Sequence, residues 1–123
     1  MKILLSIKPN FVAEILSGRK CFEFRKTLYK RRDLRKIVVY SSSPVCRVVG
    51  EFEVEDIYCD SPNRIWNITK AAAGISKIYF DKYFEGKDTA YAIKIKSFKP
   101  YPEPVRLDEK FPGVTPPRSF CYV

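Results

Sequence analysis

The chain has no histidine, one tryptophan and one methionine among its 123 residues. Without histidine, Ser-His-Asp and Cys-His catalysis are excluded. No G-x-x-x-x-G-K-[ST] or G-x-G-x-x-G phosphate loop occurs. The cysteines (Cys21, Cys46, Cys59, Cys121) form no C-x-x-C pair, so their spacing points to no zinc site. Cys21, Cys46 and Cys121 lie in strand-like runs and read as buried free thiols, which fits a reducing compartment. No long apolar run is present. The opening, Met1 to Pro9, is too short for a signal peptide or a membrane span. A cytoplasmic location without membrane contact is expected, and no cofactor or metal is called for.

Acids are also short. Fourteen Asp and Glu stand against 23 Lys and Arg, a net charge of +9. The excess is concentrated. From Arg19 to Lys36 nine cations meet two acids, a local +7, and the rest of the chain carries only +2. A fold does not need that asymmetry, but a surface that meets a polyanion does. The composition, 46% hydrophobic and 15% aromatic, supplies one core and one domain over residues 1–123.

The patterning predicts short strands. Residues 2–8 alternate, and Leu4 opposite Ile3, Leu5 and Ile7 implies burial on both faces. Pro9 ends this strand, and Asn10 caps a short helix with apolar pairs Phe11/Ile15 and Val12/Leu16. Gly18 stops it by turning left-handed. In 21–27, Phe22 and Phe24 point one way and Cys21, Glu23 and Arg25 the other. Lys26 to Lys36 reads as a solvated basic loop, and 37–41 as a β-branched strand.

Residues 46–57 place Val48, Phe52 and Val54 on one face, Glu51, Glu53 and Glu55 on the other, and Gly50 at a bulge or close approach. Ser61-Pro62 starts a helix to about Ala73, and Ser76 a second, with Phe80, Tyr83 and Phe84 read as core. Residues 89–98 alternate again. Pro100 to Pro117, with six prolines, reads as an irregular connector. The last residues form a strand that would close a barrel. The fold class is therefore α+β, mostly β: a small barrel with one early helix and an inserted helix pair.

Chemistry concentrates in Gly18-Arg19-Lys20-Cys21-Phe22-Glu23-Phe24-Arg25. Glu23 and Arg25 share a strand face, so the cation can orient the carboxylate. Lys20 has the opposite parity and joins them only if the helix-to-strand junction turns it. Two readings stand side by side. One is a polar pocket in which Lys20 and Arg25 hold an oxygen and Glu23 accepts from a base edge. The other is a structural ion pair on the barrel rim.

The pattern Gly18-x-Lys20-x-x-Glu23-x-Arg25 resembles the signature of the ASCH domain, within the PUA-like superfamily. The flanks agree: Ser6-Ile7-Lys8-Pro9 with a short helix before it, and Pro116-Pro117-Arg118-Ser119-Phe120 with Tyr122 at the far end. The resemblance implies a PUA-like barrel, a helix beside a cleft lined by the motif, and RNA binding linked to translation, transcription or RNA processing. Some members are amidohydrolases of N4-acetylcytidine, and a relative is a ribonuclease. Lys20 resembles the amidohydrolases' catalytic lysine. They carry threonine at the place of Glu23 and a carboxylate near Ala71 to Gly74, where this chain has no acid.

The expected function is thus an RNA-binding barrel, with single-stranded RNA favoured because a cleft with aromatics suits an unstacked base. Lys8, Lys20, Glu23, Arg25, Tyr40 and Ser119 would line the pocket. Arg19, Lys26, Lys30, Arg31, Arg32, Arg35 and Lys36 would meet the phosphates. The rival is a hydrolase of a nucleoside amide or RNA phosphodiester, with Lys20 and Glu23 as its catalytic pair. A third reading is an interaction module for an acidic protein partner, for instance in translation or transcription.

Overall fold

A computed structural model describes residues 1–123. The chain runs β1 (Ile3–Ile7), α1 (Pro9–Leu16), β2 (Phe22–Arg25), β3 (Lys36–Ser41), β4 (Arg47–Asp60), α2 (Pro62–Thr69), a 3-10 turn (Lys70–Ala72), α3 (Lys77–Tyr83), β5 (Ala90–Val105), α4 (Leu107–Lys110) and β6 (Phe120–Tyr122). Pro9 opens α1 as well as ending β1: its fixed φ suits the first helical position, and Lys8 takes the cap place expected of Asn10. Ser61 and Ser76 cap α2 and α3 as their sequence signals predict.

All strands join one six-stranded sheet in the order β2-β5-β4-β3-β1-β6. Only β1 and β3 are parallel. The sheet curls into a half-barrel, so the mostly-β expectation holds. Its closure differs from that expectation: β6 pairs with β1, and no ladder joins β6 to β2 at the far edge. The side chain of Arg25 spans that gap instead. It donates from Nη1 to the Ser6 carbonyl at 3.3 Å, and from Nη2 to the Ser119 carbonyl and hydroxyl at 2.9 Å each.

Both faces of the sheet are covered. Ile3, Leu5, Ile7, Ile37, Val39, Phe52 and Ile93 fill the concave core. Leu4, Val38, Tyr40, Val48 and Leu107 pack on the other side, so β1 is buried twice as its sequence predicts. Phe22 and Phe24 form a separate core with Ile65, Phe80 and Phe84 beneath α2 and α3.

Three readings need correction. The segment 100–105 is a strand, not a connector. Beyond Ile95, β5 is hydrogen-bonded on one side only, so Pro100, Pro102 and Pro104 sit where a missing N–H costs no ladder bond. Gly50 is the close approach that lets this crossing happen: a Cβ there would lie 2.6 Å from the Lys99 carbonyl oxygen. The loop 26–35 is not wholly solvated, because Tyr29 is 1% exposed and packs on Phe120. Cys46 is exposed, at φ +52° in the turn between β3 and β4, and Cys21 and Cys121 are half-buried.

The acidic face of β4 is a row of ion pairs. Glu51 accepts from Lys2 and Tyr101 (2.8 and 2.6 Å), Glu53 pairs with Lys36 at 2.8 Å, and Glu55 with Lys94 at 2.8 Å. Cross-strand pairing of opposite charges explains the alternation without any metal chemistry.

Candidate functional site

The short connection between α1 and β2 builds the site. Gly18 turns left-handed at φ +83° and its N–H bonds to the Ile15 carbonyl. The Lys20 N–H then bonds back to the Glu14 carbonyl, and the Cys21 N–H to the Ala72 carbonyl. This pinning rotates Lys20 onto the side that strand parity gives to Glu23 and Arg25. The three side chains converge: Lys20 Nζ lies 4.0 Å from Glu23 Oε1, and Arg25 Nη1 lies 3.1 Å from Glu23 Oε2. All three residues are buried, at 2%, 6% and 8% exposure.

Each member is held differently. Arg25 uses both Nη atoms on protein acceptors: Ser6, Ser119 and Glu23. That saturates its fork and makes it a strut for the half-barrel and a brace for Glu23. Ser119 reaches the cluster through Arg25. Lys20 donates to the Ala73 carbonyl at 3.1 Å, with its Nζ 4.7 Å from the centre of the Phe24 ring and 5.3 Å from that of Phe11. Burial pulls the Lys20 pKa below its ordinary value, against the opposing pull of Glu23 and Glu14. Gly74, at φ +66°, forms the wall behind it: a Cβ there would fall 2.3 Å from the Lys20 Cβ.

Above this floor opens a cleft of 530 Å³, a size usual for small-ligand sites. Lys8, Lys20, Glu23, Arg25 and Tyr40 line it, as do Cys46 and Arg118. Phe11, Tyr79 and Tyr83 form an aromatic wall. Tyr40 sits at the irregularity between Val39 and Tyr40 in the β3–β4 pairing. Burial and the neighbouring Cys46 thiol push its hydroxyl pKa up. Burial likewise raises that of Tyr83.

The aromatic wall corrects the sequence reading in part. Phe80 and Phe84 are core, but Tyr83 is half-buried and faces the cleft. Tyr79, four residues earlier on α3, joins it. Their i,i+4 spacing was readable, yet the core phenylalanines beside them carry the same period. Neither Gly74 nor Ala73 carries a signal beyond a helix stop.

The basic stretch is less free than its composition suggests. Arg19 donates to both carboxylate oxygens of Glu14 (2.7 and 3.2 Å). Arg31 grips Asp33 and Lys36 grips Glu53. Arg32 donates to the Tyr29 carbonyl and Arg35 to those of Val54 and Glu55. Lys30 is exposed, and Lys26 lies over the Tyr83 ring at 4.6 Å. No three Cys, Asp or Glu side chains converge as a metal site would need. No helix is long and apolar enough to cross a membrane.

Comparison with known proteins agrees with this fold. The structure superposes on the crystal structure of ASCH from Zymomonas mobilis with TM-score 0.90, at 28% identity, covering 99% of this chain and 87% of that one. An "ASCH domain-containing ribonuclease" of the same organism is 29% identical over 123 residues, 98% of this chain and 82% of that protein. The N-terminal domain of Staphylothermus marinus McrB shares the fold alone, with TM-score 0.57 and 16% identity over 93% of this chain and 81% of that one. The large ribosomal subunit protein uL22 of Ureaplasma parvum is 38% identical over 108 residues, 87% of this chain, and the chain spans only 34% of its length. The half-barrel is the PUA-like fold, the ASCH domain model matches residues 5–99, and the chain belongs to the ASCH domain family.

Proposed function

We propose that this chain binds single-stranded RNA by holding one unstacked nucleotide over Lys20 and Glu23. One observation carries the reading. A donor, Lys20 Nζ, and an acceptor, Glu23 Oε1, stand 4.0 Å apart on the floor of an aromatic-lined cleft without hydrogen-bonding each other. A nucleobase edge presents an acceptor and a donor side by side, and fits between them. In an RNA duplex the Watson–Crick edges are paired and the major groove is too deep and narrow for side chains to read, so an unpaired base offers that edge and single strands are favoured over duplex. The family assignment and the relative named as a ribonuclease support RNA as the ligand.

Fluorescence anisotropy with labelled single-stranded and duplex RNA tests this. The single strand is expected to bind tighter, with affinity falling as salt rises. Glu23→Gln and Lys20→Met each weaken it by about tenfold, within the range for loss of a base-edge contact. Equal affinity for duplex, or full affinity in the double variant, overturns the proposal. Binding to any acidic polypeptide with the same strength favours a protein-interaction module instead.

A second reading is cleavage of the bound RNA, favoured by the likeness to a ribonuclease over 98% of the chain. With its pKa lowered, Lys20 is suited to take the proton of a ribose 2′-hydroxyl. That oxygen then attacks the adjacent phosphorus to form a 2′,3′-cyclic phosphate, and the P–O5′ bond breaks. The 5′-oxygen leaves as a hydroxyl with a proton drawn through solvent, which the Lys20 ammonium replaces, while Lys8 and Arg118 in the cleft meet the developing charge. Shortened product that disappears in Lys20→Met distinguishes cleavage from binding. Hydrolysis of an N4-acetyl amide has less support, because the Ala71–Gly74 segment offers Lys20 a backbone carbonyl where the amidohydrolases are expected to place a carboxylate.

A further inference from the structure

Along α3 the cleft wall repeats a unit. Tyr79 and Tyr83 have nearly parallel rings, 12° apart in plane and 6.4 Å between centroids. Each carries its own lysine. Lys8 Nζ lies 5.5 Å from the centre of the Tyr79 ring and donates to its hydroxyl at 3.3 Å. Lys26 Nζ lies 4.6 Å from the centre of the Tyr83 ring. Neither lysine forms an ion pair, whereas Arg19, Arg31 and Lys36 all do. The two lysines come from opposite ends of the motif region, one just before α1 and one just after β2, yet both converge on one helix face. Tyr79 packs edge-on against Phe11 and Tyr83 edge-on against Phe84, and both still present ring surface to the cleft. Tyr79 and Tyr83 are only half-buried, and the core below them is filled by Phe80 and Phe84.

We infer that this tyrosine–lysine ladder is a second subsite, which takes two further nucleotides of a single RNA strand, bases on Tyr79 and Tyr83 and phosphates at Lys8 and Lys26. The inference rests on the reading that one nucleotide occupies the cleft floor. The ring spacing exceeds the ~3.4 Å step of stacked bases, so each ring serves its own base in an extended strand. Aromatic platforms paired with cations that track the backbone are the physical basis of single-strand binding without sequence preference. The ladder therefore adds affinity, and the floor adds choice of base. It also moves the phosphate contacts from the loop 30–36 to the cleft rim.

An NMR titration with a mononucleotide, a trinucleotide, and a trinucleotide abasic at its last two positions tests the ladder. Wild type is expected to bind the trinucleotide at least about tenfold tighter than the mononucleotide, and to lose most of that gain with the abasic form. Lys26→Gln, outside the cleft lining, removes or shrinks the gain and leaves mononucleotide affinity unchanged, and Tyr83→Leu shrinks the gain. Glu23→Gln, as a control on the floor, weakens mononucleotide and trinucleotide alike. Lys26 is exposed, so Lys26→Gln carries the test even if Tyr83→Leu fails to fold. A gain that survives in Lys26→Gln and in the abasic form overturns the ladder while the floor reading stands. Failure of wild type to bind either RNA overturns both.

Discussion

Two parts of this molecule hold the same residue types and put them to opposite uses. In the floor of the cleft, Lys20, Glu23 and Arg25 are removed from water, and their geometry is fixed by Ala73, Ser6 and Ser119. In the loop that follows and at the first residue of β3, Arg31, Arg32, Arg35 and Lys36 are exposed and direct their charge to nearby acids and carbonyls. The loop holds most of the local charge, and the floor holds the ordered charge. Density of charge along a sequence measures attraction at a distance. Charge becomes recognition where it is held in place, by burial and fixed partners in the floor and over an aromatic ring at Lys26.

The largest way to break this contrast is Arg25→Met. It removes the side chain that spans the open edge of the half-barrel, and it leaves the Glu23 carboxylate buried without its close partner. Breaking a buried pair on one side costs about 3–5 kcal/mol. Urea denaturation should show a loss of that order. Arg25→Lys should not restore it, because one ammonium cannot reach the Ser6, Ser119 and Glu23 acceptors together. Stability within error of wild type in Arg25→Met would show that the edge closes without it.

Next in size is Gly74→Ala. The new methyl meets the stem of Lys20 at 2.3 Å in a backbone held at φ +66°. Crowding of this kind costs about 1–3 kcal/mol, and the shift is transmitted to the Lys20 ammonium. The variant should lose both stability and RNA affinity, whereas Gly18→Ala, with open space around its Cβ site, should lose stability alone.

Much of this was legible in the sequence. The hydrophobic alternation of β1 and β4, the serine caps of α2 and α3, and the spacing of Glu23 and Arg25 each follow from local periodicity. What escaped depends on contacts between distant segments. Arg25 finds the Ser6 and Ser119 carbonyls only because the sheet curls. Pro100 to Pro104 form strand because that edge of β5 is unpaired. Tyr79 and Tyr83 face the cleft because Phe80 and Phe84 claim the core, and a helical period does not say which side wins. Lys20 joins its partners through backbone bonds to Glu14 and Ala72 that no strand parity encodes.

A smaller effect separates the floor from the loop by pH. Burial lowers the folded-state pKa of Lys20 below its ordinary value of 10.5. Between those two values the unfolded chain holds a proton that the folded chain has released, so stability rises with pH across that window. Below the folded value both states are charged, and burial of the ammonium is a constant penalty. The raised tyrosine pKa values act in the opposite sense at high pH, since the folded hydroxyls keep protons that the unfolded ones lose. Comparing wild type with Lys20→Met cancels the tyrosines. Wild type should gain on the variant as pH rises toward 10.5, and a flat difference would mean that Lys20 is not desolvated.

The smallest effects belong to the loop, and their smallness is what the contrast requires. Arg31→Gln and Lys36→Gln each free an acid, Asp33 or Glu53, along with removing a cation. The net local charge changes by one, but the exposed pairs are screened and contribute little to the fold. Melting temperature should stay within error. RNA affinity should fall by less than about twofold, and the slope of log affinity against log salt should scarcely move, because phosphates already held elsewhere release the same counterions. Lys26→Gln should instead reduce that slope by about one, as expected for a direct phosphate contact. If the loop variants change the slope as much as Lys26→Gln does, the strand lies across the loop, and the ordered charge of the floor is not what positions it.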